Sequence, residues 1–394
     1  MHPVMLKAMT APGDGIAERR EAVKTIALIL LTSALALGIL VEPLDGARAS
    51  IAAPSSSLAA SSGVAAHPLF TASGLDTVSF ANDAVGCAGG HHLILCTKNG
   101  GKRWRATWTA PGLVSQLQFS DVQHVWALVS DRLLHSNDGG VHWQYSRDKS
   151  RLSSIDFPSA QIGWGVTTNG RFVTTTNGGR NLTAEHTPFT VRAVSFLDRR
   201  HGWAYQTDGH IAFTENAGRT WHTRGAIGLG ASWTYGDAQL TFVTASRGWL
   251  LLTLGSGCGS MMPYLLYYTA DGGVHWRQRF VGPAACGGKG YPTRKPGVPG
   301  YPGNLSAFPS GHAFFSVVAP AQPMLYVVST HDAGRHWAQG APTGQKVAGV
   351  TLAMAFVSAT QGWLVTGGEA ARSVGRIIHT TDGGRTWQTQ LLVH

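Results

Sequence analysis

The side chains able to carry acid–base chemistry are few. Beyond residue 49 the chain holds three glutamates, Glu185, Glu215 and Glu369, and thirteen aspartates. Glycoside hydrolysis needs two carboxylates facing each other across a cleft. Asp156, Asp198 and Asp237 could approach the centre of a ring-shaped fold, but no spacing pairs them. Seventeen histidines invite a metal reading, yet His91 and His92 are adjacent, while His142, His275 and His336 recur one per repeat and so stand far apart. No set has metal-ligand spacing, so no metal is expected. No glycine-rich phosphate loop and no Ser-His-Asp order stands out, and no cofactor is expected.

What dominates is repetition. The phrase TTDGGRTW at residues 380–387 has six earlier counterparts: TKNGGKRW, SNDGGVHW, TTNGGRNL, TENAGRTW, TADGGVHW and THDAGRHW. Their third positions are Asn99, Asp138, Asn177, Asn216, Asp271, Asp332 and Asp382, the first four 39 residues apart. Upstream of each lies a phenylalanine, followed seven residues later by Cys87, Trp126, Trp164, Trp203, Trp249, Phe315 or Trp363. Short β-rich runs surround these landmarks, as in SIDF, GWGVT and RFVTTT. A period near 40 with four short strands per unit predicts a radial array. The expected fold is therefore an all-β, seven-bladed propeller of four-stranded antiparallel blades. Within the phrase, Asp and Asn share only a side-chain oxygen that accepts backbone N–H bonds. Asn is no general acid or base, so the seven positions are assigned a structural role. The constant glycine at position five suggests φ > 0. Ala217 and Ala333 at position four suggest that glycine is not needed there.

S/T-x-D/N-x-G-x-x-W is similar to the Asp-box, or BNR, repeat. Joined to FPSAQIGW, FLDRRHGW, FVTASRGW and FVSATQGW, it resembles the propeller of the photosystem II stability/assembly factor family over residues 70–394. That resemblance implies a non-catalytic scaffold that meets a protein client through an arginine-rich surface. Arg199 and Arg200, within a group of arginines in the third and fourth repeats, would serve that role. Sialidases and xyloglucanases also carry Asp-boxes, which leaves a secreted glycan-binding or glycoside-hydrolase propeller as the alternative. A sialidase needs an arginine ahead of its first Asp-box, and residues 50–101 contain none. Pro309-Ser310-Gly311-His312 matches the core of the type 2 phosphatidic acid phosphatase signature, but the downstream Ser-Arg and His…Asp elements are missing. The match is read as coincidence.

The first 49 residues read as an export signal or membrane anchor. Arg19, Arg20 and Lys24 precede an uncharged apolar run over residues 25–41. A cleaved signal and an uncleaved tether remain alternatives, the latter because 17 apolar residues just span a bilayer. Residues 50–69 form a Ser/Ala-rich linker, and residues 70–394 the propeller. The chain carries 31 Lys+Arg against 21 Asp+Glu, a formal +10. Residues 272–331 contain no acid, yet they include Arg277, Arg279, Lys289, Arg294 and Lys295. Such a field attracts acidic partners. Export argues against nucleic acid, leaving a cell-envelope protein or an acidic glycan or lipid surface.

Four cysteines in an exported chain favour disulfides. Cys87 and Cys96 correspond to Trp126 and His135 of the next repeat and should face each other across a hairpin. Cys258 and Cys286 lie in two long inserts assigned to the propeller face opposite the repeated phrase. A bridge between them would tie together a lobe with Met261, Met262, Tyr264, Lys289, Tyr291, Arg294 and Lys295, the expected partner-binding residues.

Overall fold

The computed structural model describes residues 74–228, 235–254, 262–282, 300–319, 324–340, 352–366 and 375–393. Every regular element among them is a β-strand. Each strand pairs antiparallel with its sequence neighbour, and the result is an all-β propeller.

The strands form six sheets, one of six strands and five of four. Counted by hydrogen-bonded sheets, the propeller thus has six blades and not the seven that seven phrases imply. The difference arises in the first two repeats. There, the second and third expected strands are one continuous strand, Gly86–Thr97, which turns through His92 at φ 62°. The next strand, Arg105–Phe119, runs unbroken from one repeat into the following one. Its first half pairs with Gly86–Thr97 and its second half with Val125–Val129. Pro111-Gly112 lies inside it, and Gly112 at φ 148° supplies a backbone conformation that L side chains rarely adopt. No break separates the first two repeats, so they share one sheet.

All seven phrases fold into the same corner. In each, the first-position hydroxyl donates to the third-position oxygen and accepts the N–H of the fifth residue. Ser136 Oγ, for example, lies 2.8 Å from Asp138 Oδ1 and 2.9 Å from Gly140 N. The corresponding distances at Thr380 are 2.8 and 2.9 Å. The third-position oxygen then accepts the N–H four residues on, from Arg103, His142, Asn181, Thr220, His275, His336 or Thr386. Asn and Asp serve equally because only an acceptor is required.

Positions four and five both have positive φ. Ala217 at 67° and Ala333 at 59° share this geometry with the glycines of the other copies. Position four thus admits alanine, as expected, but alanine occupies the left-handed region there at a steric cost. The N–H of position four donates to the preceding one-to-two turn, as Gly139 N does to Gln123 O at 2.8 Å. Both turns therefore share one face. Position five abuts the previous repeat: a Cβ on Gly140 would lie 2.5 Å from Cys96 Sγ and 2.7 Å from Cys87 Sγ.

Ring stacking joins neighbours. Phe157 stacks on Trp126 at 4.1 Å, Phe196 on Trp164 at 3.5 Å and Phe242 on Trp203 at 3.8 Å. Phe80 of the first repeat stacks on Trp363 of the last at 3.6 Å, which closes the ring. The same closure is bridged by Gln390, whose Oε1 accepts from Trp363 Nε1 and whose Nε2 donates to Gly100 O. Trp126, Trp164 and Trp203 donate to the corner carbonyls of Gly178, Ala217 and Gly272. In the first repeat the tryptophan position holds Cys87, which is joined to Cys96 in a disulfide, as expected.

These contacts rank two substitutions. Gly139→Ala meets the Val122 carbonyl at 2.8 Å with φ 72° and should cost about 1 kcal/mol, since alanine is borne at this position elsewhere. Gly140→Ala adds a collision with two disulfide sulfurs and should cost more than about 2 kcal/mol. Urea denaturation midpoints would measure both, and equal losses would contradict the packing role of position five.

Candidate binding face

The corner residues have no chemistry to spare. In three corners a histidine four residues after the aspartate bonds its outer oxygen: His142 to Asp138, His275 to Asp271 and His336 to Asp332, at 2.5, 2.7 and 2.6 Å. Desolvation pushes the Asp271 carboxyl upward, but the His275 N–H and ring and the Thr269 hydroxyl outweigh it and hold the group at about 2. Asp382 is likewise held at about 2, with Thr386 in place of the histidine. Asp332 is lowered chiefly by the His336 N–H, and Asp138 is lowered by the His142 and Ser136 bonds against its desolvation. These carboxylates stay ionised and act as acceptors. The D-x-x-x-H spacing was a readable signal for this pairing.

The three aspartates considered for the centre of the ring fall into different roles. Asp198 is exposed and bonds His201 at 2.8 Å. Asp237 lies in the strand Tyr235–Phe242, where its N–H donates to Thr253 Oγ1. Asp156 joins neighbouring repeats: Oδ2 accepts the Phe196 N–H at 2.6 Å and Oδ1 accepts from Gln118 Nε2 at 3.1 Å. Ser79, Gln118 and Ser195 make the same bond to Phe119, Phe157 and Phe242 of the next repeat. Desolvation raises the Asp156 carboxyl to about 6 against these two bonds, with no second carboxylate contributing. Asp156 is thus a half-buried acid engaged between two repeats, with no second carboxylate paired to it among the described residues. Among the described residues, no group of three histidines, cysteines or acids could hold a metal ion.

Of the expected partner-binding residues, Met261, Lys289, Tyr291, Arg294 and Lys295 lie outside the described residues, as do Cys258 and Cys286. Met262 is half-buried. Tyr264 begins the strand Tyr264–Thr269 with its side chain fully buried against Phe280 and Phe315, so it presents no contact surface. Arg199 and Arg200 are exposed on the one-to-two turn, and Arg200 Nε donates to Glu215 O. Both therefore lie on the corner face, because that turn accepts the Ala217 N–H through Arg200 O.

The described cavity also opens on that face. It has a volume of about 550 Å³ and lies between the corners at Asp271 and Asp332, where Arg247, Arg277, Arg279 and Arg335 converge. In the sequence Arg277 and Arg279 fall in an acid-free region, whose inserts are expected on the opposite face. The arginines come from a one-to-two turn, a fourth strand and a corner of two different repeats. Only folding brings them together.

No family model matches the sequence, and no curated protein is similar enough in sequence to match. The fold itself has clear counterparts. YCF48 from Cyanidioschyzon merolae superimposes with a TM-score of 0.53 at 16% identity, over 80% of this chain and 97% of that one. The structure of YCF48 bound to a D1 peptide gives the same score and identity, over 80% and 95%. The GH74 xyloglucanase from Xanthomonas campestris reaches 0.58 at 12% identity, over 82% of this chain but 55% of that one. This chain has a β-propeller fold similar to that of YCF48.

The raised Asp156 gives a pH signature. Its protonated form is favoured in the folded chain over the unfolded one, where the carboxyl titrates near its ordinary 3.8. Stability is therefore gained as pH falls from about 6 toward 4, and lost again as pH rises through that window. Asp156→Asn should flatten this part of the melting temperature profile. An unchanged slope between pH 4 and 6 would contradict the assignment.

Proposed function

We propose that the chain is an exported, non-catalytic Asp-box propeller that docks a protein partner in the cell envelope and assists assembly or stability of an envelope complex. The reading rests on one observation above all. The corner oxygens are consumed within their own turns, and Asp156 is consumed between repeats. What remains is a rigid ring with surplus positive charge. Such a surface binds by electrostatic complementarity to an acidic partner. That YCF48 has been seen with a peptide bound supports the same class of role. Export and tethering through residues 25–41 belong to this proposal, with residues 50–69 as a flexible linker.

Partner contact is assigned to the inserts carrying Met262, Lys289, Arg294 and Lys295, with Arg199 and Arg200 as a second basic contact. The xyloglucanase likeness keeps a glycan-active propeller as the rival reading. Affinity capture of the tethered chain from its own envelope, followed by identification of what accompanies it, addresses the first reading. Combined Lys289→Glu, Arg294→Glu and Lys295→Glu substitution should abolish capture while the melting temperature holds. Unchanged capture would remove that lobe from the interface. Incubation with xyloglucan oligosaccharides should release no new reducing ends, and release would favour the enzyme.

A further inference from the structure

The boundary between the fifth and sixth repeats differs from its neighbours. Trp249 occupies the position from which Trp126, Trp164 and Trp203 donate to a corner carbonyl, yet its buried Nε1 has no partner. The clasp is open here, and the cavity lies against the same corner, with Ala333 in its wall.

The cavity's charge is unbalanced. Four guanidiniums line it, and among the described residues none forms an ion pair. Arg247 donates to Pro309 O. Arg279 sits 5.5 Å from the Tyr268 ring centroid, and its buried Nε lacks any partner. Desolvation and the fields of Arg277 and Arg335 disfavour its charge. The two lining carboxylates, Asp271 and Asp332, are engaged by their own corners. Four positive and two negative side chains leave a surplus of two charges.

We propose that this cavity binds a small phosphate monoester, seating its phosphate among Arg247, Arg277, Arg279 and Arg335. A doubly charged tetrahedral group matches the surplus and offers three oxygens to several guanidinium forks, whereas a carboxylate brings one charge and two oxygens. The volume far exceeds a bare phosphate and lies in the range of small-molecule sites, which leaves room for a sugar-sized organic part. Ser310 adds a hydroxyl to the wall, already bonded to His312 Nδ1 at 2.8 Å. The site goes beyond the partner-docking reading and does not depend on it.

Calorimetric titration of the full chain with glucose 1-phosphate, inorganic phosphate and an unphosphorylated acidic peptide tests the assignment. Glucose 1-phosphate should bind saturably and more tightly than inorganic phosphate. Arg277→Gln and Arg335→Gln are surface changes, and each should weaken it about tenfold, the loss of one charge-assisted contact. Arg385→Gln, at the same phrase position as Arg335 but away from the cavity, should change nothing. Absence of saturable binding by either phosphate probe, or equal weakening by Arg385→Gln, would overturn the proposal. Inorganic phosphate binding as tightly as the monoester would remove the organic part. Tighter binding of the peptide, lost in Arg277→Gln, would reassign the cavity to a protein partner. Envelope capture unaffected by Arg277→Gln would leave the docking reading standing whichever way the titrations fall.

Discussion

The structure depends on how each repeat grips the next. A phenylalanine on the first strand of one unit lies flat on the tryptophan of the unit before it, and the plane angles of 4 to 10° leave little room between the rings. The stacked phenylalanine also leaves no room for a side chain on its own repeat. A Cβ at Gly163 or Gly202 would fall about 2.3 Å from Phe157 or Phe196 of the same repeat. The glycine of these repeats thus makes way for the phenylalanine that grips the repeat before. The corner phrase completes the grip by presenting a carbonyl to the tryptophan N–H and a bare α-carbon to the neighbouring wall. Large aromatic burial and a satisfied indole donor coincide at one contact.

Closure follows from the same contact. The Phe80–Trp363 pair and the Gln390 bridge join the last repeat to the first through side chains, with no strand pairing across the junction among the described residues. In the first repeat a disulfide fills the place of the tryptophan, and Gly140 of the next corner packs on its sulfurs. The first repeat is thus clamped covalently within its own strand where the other repeats carry an aromatic side chain. At the fifth repeat the grip is incomplete, and there alone among the described residues a tryptophan of this class keeps a buried donor without a partner. A cavity with four arginines occupies that boundary. Departure from the repeated contact and concentration of unbalanced charge coincide.

Much of this was legible in the residues. The phrase, its hydroxyl and acceptor, and the glycine at position five were all readable, because a turn is a local object and its requirements are local. The Cys87–Cys96 pairing was readable for the same reason, since alignment to the next repeat places both across a hairpin. The role of Asp156 was less accessible. Its position just before a phenylalanine matches Ser79, Gln118 and Ser195, but that the side chain accepts from the following repeat shows only when the units stand side by side.

The sequence by itself determined the strand-rich repeats and the corner conformation. These follow from which atoms lie within a few residues of one another. The tertiary structure decided how many sheets form, because hydrogen bonding through Gly86–Thr97 and Arg105–Phe119 merges two repeats that seven phrases alone would separate. It also decided that Tyr264 is core and that Arg247, Arg277, Arg279 and Arg335 meet in one cavity. Those outcomes depend on distances between residues up to 88 positions apart (247 to 335), which spacing along the chain does not encode.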